Sequence, residues 1–118
     1  MISSLLFAAA IAVAGDWTGT SLCTNLKVLP ACHDEVVLYH VTAKGEKVFH
    51  VAADKKVAGK WEYMGEWDMT QNGTHLINDS VDRQGRRGIW DFEFKGDRID
   101  GVLKVNGEVV RKVDAKKQ

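Results

Sequence analysis

Trp61-Glu62-Tyr63-Met64-Gly65-Glu66-Trp67-Asp68-Met69 sets aromatic or apolar residues at the odd positions and mostly acidic ones at the even positions. Side chains of an extended strand point alternately to opposite faces. This period of two is therefore the pattern of a strand with one face buried and one in water. Gly88-Ile89-Trp90-Asp91-Phe92-Glu93-Phe94-Lys95 repeats it, with Trp90, Phe92 and Phe94 on one face. Residues 98–105 bring Ile99, Leu103 and Val105 together, and Gly101 permits a bend or a close approach between them.

Working outward, residues 35–42 and 47–53 are rich in β-branched and aromatic types and read as further strands. Residues 74–81 read as a weak, polar strand, and 108–113 as a last one before a charged tail. Asn106-Gly107 is the preferred two-residue hairpin turn, because both central positions need positive φ. Asn72-Gly73, Lys44-Gly45 and Lys95-Gly96-Asp97 are similar, 83–88 is a longer basic loop, and 54–60 reads as a loop or irregular edge. No helix-length amphipathic repeat follows residue 15. The expectation is all-β, with about eight short strands beginning near Trp17, Val36, Val48, Trp61, His75, Ile89, Ile99 and Val109. Short connections favour an antiparallel up-and-down order, and closure into a small barrel removes the sheet edges. At about eight strands the interior either fills with side chains or holds one small ligand, and the inward aromatics favour a mostly filled one.

The chain has 118 residues, room for one core. Lys plus Arg and Asp plus Glu number 16 each, which argues against a nucleic-acid binder and against a polybasic membrane anchor. Residues 1–14 carry no charged side chain, and an apolar block from Leu5 ends in Ala12-Val13-Ala14. The block is shorter than the roughly 20 apolar residues that span a bilayer. It reads as a signal peptide cut after Ala14, although the usual basic residue before the block is missing. A buried N-terminal helix and an uncleaved anchor are the alternatives. The expected organisation is a 1–14 leader, a single 15–118 domain, and a secreted or periplasmic location without a stable membrane anchor.

In an oxidising compartment Cys23 and Cys32 are first expected to form a disulfide. A metal site using Cys23, Cys32, His33 and Asp34 lacks the paired close spacings of zinc sites, and free thiols are the third option.

Gly15-Asp16-Trp17 at the first strand and Arg111 in the last resemble the Gly-x-Trp start and terminal basic residue of calycins, the lipocalin-like barrels. More narrowly, Gly15-Asp16-Trp17-Thr18-Gly19-Thr20-Ser21-Leu22-Cys23, followed by Cys32-His33-Asp34-Glu35 and Val37-Leu38-Tyr39, resembles a family of small secreted bacterial proteins without an assigned activity. The resemblance implies that Trp17 plugs one end of the barrel with Arg111 packed across it. The short strands, and the lack of a C-terminal helix, depart from the larger lipocalins.

Three groups of titratable residues stand out. Cys32-His33-Asp34-Glu35 could supply a general base, but the favoured reading has Asp34 and Glu35 fixing the loop through backbone amides. His40 and His50 become direct partners if their strands pair about residue 45, and a one-residue slip would destroy that. Arg83, Arg86 and Arg87 form a basic loop that could dock an anion or, more simply, lie in solvent. Asn72-Gly73-Thr74 and Asn78-Asp79-Ser80 fit the glycosylation sequon but read as turn residues. The common nucleophile-elbow, phosphate-loop, zincin and dinucleotide signatures are absent from the sequence.

These readings favour a non-enzymatic barrel, without cofactor or metal, binding a small, partly apolar molecule through Tyr39, Tyr63, Trp67, Trp90 and Phe92. A protein-binding module, such as an inhibitor of a secreted enzyme, is the second reading. An exposed apolar patch near the disulfide loop would favour it over the first. An enzyme using His33 with Asp34 or Glu35 is the third.

Overall fold

The computed structural model describes residues 13–118. Eight antiparallel strands follow one another: β1 (Gly15–Cys23), β2 (Glu35–Ala43), β3 (Val48–Val57), β4 (Lys60–Asn72), β5 (His75–Val81), β6 (Arg87–Lys95), β7 (Arg98–Val105) and β8 (Glu108–Lys117). Each pairs with the next and β8 pairs back onto β1, so the sheet is a closed up-and-down barrel. The expected fold and strand starts are met.

Inward positions alternate with outward ones along most of the strands. Val37, Tyr39 and Val41 of β2, Phe49, Val51 and Ala53 of β3, and Phe92, Ile99 and Val113 further on are buried. Two glycines let the walls come close enough to seal. A Cβ on Gly19 would sit 1.8 Å from the Asp114 carbonyl oxygen across the β1–β8 seam, and one on Gly101 would sit 2.8 Å from the Phe92 ring. Gly101 is thus the close approach that its sequence setting implied. The Asn106-Gly107 turn takes positive φ at both residues, 49° and 87°, as a tight hairpin requires.

The barrel has two unlike ends. One, the plugged end, gathers Val13, the 44–47, 73–74 and 96–97 connections and the C-terminus. The other, the rim, gathers the 24–34 disulfide loop, the 58–59 turn, the 82–86 loop and the 106–107 turn. Trp17 fills the plugged end: it is fully buried and meets Phe94 edge-on at 5.3 Å. Its Nε1 donates to the Val13 carbonyl at 3.0 Å. Val13 itself is packed into the core. The leader reading otherwise falls on residues 1–12, outside the described part of the chain.

Several local expectations change. Residues 54–60 are not a loop: β3 and β4 continue as a two-stranded ribbon closed by Ala58 and Gly59, both at positive φ (51° and 79°). The residues after Val113 are not a free tail, because β8 runs to Lys117 with Ala115 inward and buried. That extension decides which cation meets the plug. Trp17 pairs in register with Lys117, whose ammonium lies 5.7 Å from the ring centroid, whereas Arg111 pairs with Cys23 at the rim. The implied packing of Arg111 across Trp17 is therefore corrected. Along a strand rising about 3.3 Å per residue, six positions separate the two by roughly 20 Å.

Candidate binding end

The rim is built where β1, β2 and β8 meet the disulfide. Cys23 and Cys32 are bonded, with Cα atoms 6.1 Å apart, so neither thiol is available to a metal. Asp34 Oδ1 accepts from the Cys23 amide at 2.7 Å and holds the loop, as expected. Glu35 does something else: it pairs with Arg111 at 3.3 Å, both side chains being mostly buried. Arg111 also donates to the Ser21 carbonyl and hydroxyl oxygens at 3.2 and 3.0 Å and to the His33 carbonyl at 2.9 Å. One guanidinium thereby ties β1, β8 and the disulfide loop together. Its planar fork of donors suits that task in a way a lysine would not.

Beneath this clasp lie four of the five proposed contact residues. Tyr39 is 1% exposed and hydrogen-bonds to Ser21. Burial, reinforced by Glu35, pushes its phenol well above the usual range, so it stays protonated. Its ring meets Phe92 at 5.3 Å and Trp67 at 6.2 Å. Trp67 of β4 stacks on Trp90 of β6 at 5.9 Å with only 9° between their planes. Phe92 and Tyr39 are core, while Trp67 and Trp90 are half-buried.

The fifth, Tyr63, lies elsewhere. The β3–β4 register shifts between Ala53 and Asp54, where Ala53 faces Gly65 but Asp54 faces Tyr63, so β4 carries one extra residue. A bulge of this kind reverses the alternation on its strand. Trp61 and Tyr63 consequently leave the inward face. Tyr63 is 64% exposed and donates to Glu66 at 2.6 Å. Trp61 is 40% exposed with the Lys56 ammonium 5.3 Å from its ring centroid.

The wall beside the Trp pair is thin. β4 and β5 share only the pairs Thr70–Ile77, Gln71–Leu76 and Asn72–His75, after which the strands part. Asn78 Nδ2 donates to the Asp68 carbonyl at 2.8 Å across the parting, so this sequon residue is a strand bridge rather than a turn. The Trp67 Nε1–H is buried and has no hydrogen-bond partner among the described residues.

Among the described residues, the exposed large hydrophobics all belong to the rim half. Leu22, Leu26 and Val36 flank the disulfide loop; Val57, Trp61, Tyr63 and Met64 lie on the β3–β4 ribbon; Val81 ends β5. Lys27 shares the loop with Leu26, and Lys55, Lys56 and Lys60 edge the ribbon. Two of the three loop arginines are committed: Arg86 to Asp82 at 2.7 Å and Arg87 to Asp79 at 2.5 and 2.9 Å. A separate surface groove of about 380 Å³ runs over β1, β8 and β7, its charged wall including the Arg98–Asp114 pair.

Three of the four histidines, His40, His50 and His75, lie on the outer wall. His40 faces Ala52 and His50 faces Thr42, so the expected direct pairing is off by two residues, because four residues, 44–47, separate the strands. Instead each histidine meets two carboxylates: His40 with Asp16 (2.8 Å) and Asp54 (3.2 Å), His50 with Asp68 (2.8 Å) and Glu66 (3.1 Å). His75 repeats this with Asp91 (2.7 Å) and Glu93 (3.7 Å). Hydrogen bonding to Asp16, Asp68 and Asp91 respectively raises all three imidazoles above their ordinary value.

No family model matches this chain, and no curated protein matches it. Among solved structures it is similar to one described as a redesigned beta barrel, with a TM-score of 0.67 over 93% of this chain and 95% of that chain. At 11% identity, the likeness is one of fold alone.

Proposed function

We propose that the protein is an exported, non-catalytic binding module that engages a partner protein through its rim. The observation that carries this is the one-sided distribution of exposed apolar side chains, with Leu22, Leu26 and Val36 around the disulfide loop and Trp61, Tyr63 and Met64 on the ribbon. Exposed apolar side chains gathered at one end of a domain and interspersed with lysines are a mark of a protein contact. The disulfide, the Arg111 clasp and the closed sheet support it by holding that surface rigid, which lowers the ordering cost of association. The disulfide also supports a secreted or periplasmic location. Kinship with the lipocalin-like barrels is part of the proposal, supported by the up-and-down closure and by a last-strand cation over Trp17. A protein partner, rather than nucleic acid or membrane, accords with the zero formal net charge.

The test compares wild type with a Leu26→Ser/Tyr63→Ser variant as bait in periplasmic or secreted fractions. Both positions are exposed, so the variant keeps its fold. A single protein retained by wild type and lost by the variant is the expected result. Equal capture by both baits, or capture by neither, refutes the reading.

A second reading, a small planar apolar ligand at Trp67 and Trp90, is favoured by the unpartnered indole N–H beside the β4–β5 parting. It expects a copurifying small molecule in native mass spectrometry and its loss in Trp67→Phe.

A further inference from the structure

We propose that the mature chain begins at Val13, the leader being removed between Ala12 and Val13 and not after Ala14. The proposal rests on the export reading above. The sequence offers two small-x-small triplets, Ala10-Ile11-Ala12 and Ala12-Val13-Ala14, and both satisfy what a leader peptidase recognises. Sequence pattern alone does not separate them. The packing of the plugged end does.

Val13 is 6% exposed and belongs to the hydrophobic core. Its carbonyl accepts the Trp17 Nε1–H at 3.0 Å, and Trp17 is fully buried. Cleavage after Ala14 would remove both the apolar side chain and the acceptor. The indole N–H would then lose its acceptor, and the barrel would lose a packed side chain from its sealed end. Cleavage after Ala12 keeps both the acceptor and the buried valine side chain. The step is hydrolysis of the Ala12–Val13 peptide bond: water supplies hydroxide to the Ala12 carbonyl carbon, and the Val13 nitrogen leaves as an amine.

The full 118-residue chain is expressed in an exporting bacterium, and the intact mass of the exported, disulfide-bonded species is measured. The expected mass is that of residues 13–118. A mass smaller by one valine and one alanine residue, a chain starting at Gly15, overturns the proposal while leaving export intact. An uncut chain that stays inside the cell refutes export and the proposal with it. Ala14→Gln spoils only the second triplet, so it is expected to mature with the same start. Accumulation of uncut Ala14→Gln alongside normal processing of wild type would overturn the proposal.

Discussion

Gly19→Ala tests the closure of the barrel. Gly19 faces Ala115 across the β1–β8 seam, and a Cβ there would lie 1.8 Å from the Asp114 carbonyl oxygen and 2.6 Å from Ala115 Cα. Ordinary contact begins near 3.4 Å, so the strands must part by about 1.6 Å, and both obstructing groups are backbone that no rotamer change can move. A parting of that size breaks the ladder bonds on either side, at about 1 kcal/mol each. It also misfits the inward side chains of β1 and β8, at about 1–3 kcal/mol. A loss of about 3–5 kcal/mol follows, against a total stability of about 5–15 for a domain of this size. Thermal unfolding followed by circular dichroism should show Tm lowered by about 15–25 °C. Gly45→Ala is the control: its Cβ meets only Val48 Cβ, at 3.8 Å, and its φ is not in the positive region. It is expected to stay within about 0.5 kcal/mol of wild type. If Gly19→Ala unfolds within a few degrees of wild type, β1 and β8 are not paired in this register, and the closed barrel falls.

Arg111→Ala leaves Glu35 mostly buried without its partner and releases the Ser21 and His33 carbonyls. Urea unfolding should report a loss of about 3–5 kcal/mol, while Lys117→Ala, at the plugged end, should lose under about 1. Replacing both cysteines by alanine opens a loop whose ends are nine residues apart and is expected to cost about 2.5–3 kcal/mol, read as an equal shift when wild type is unfolded under reducing conditions. The three outer histidines are raised in the folded state, so the stability they contribute is complete below the unfolded value near pH 6.5 and is lost as pH rises through their folded values. Tm should therefore fall as pH rises above about 6.5, and a His40→Gln/His50→Gln/His75→Gln variant should flatten that slope. A slope unchanged in the variant would contradict the pairings.

The strand count was legible because period-two alternation and Asn-Gly turns are local signals, and the 106–107 turn has the backbone they demand. What stayed hidden depends on register, which the local pattern does not carry. The odd-numbered run from Trp61 to Met69 looks continuous, yet an extra residue at the bulge turns Trp61 and Tyr63 outward while Trp67 and Met69 stay in. Gly65, at φ 157°, is the one visible hint of that break. The 44–47 connection shifts His40 and His50 by two positions, leaving each on the outer face with carboxylate partners in place of the other. Which basic residue meets Trp17 was settled by how far β8 extends, and the charged residues 114–117 concealed that extension. The apolar rim was invisible for a related reason. Its members come from β1, the disulfide loop, β2, the ribbon and β5, and only closure brings them to one end.

The claim that the rim is the binding end is tested most directly by site-specific photo-crosslinking in the exporting host. A photoreactive amino acid is placed singly at Tyr63 or Leu26 on the rim, and at Glu46 or Asp97 at the plugged end. A discrete higher-mass adduct from Tyr63 and Leu26, with none from Glu46 or Asp97, is the expected result. Adducts from the plugged end, or none from the rim, would contradict it.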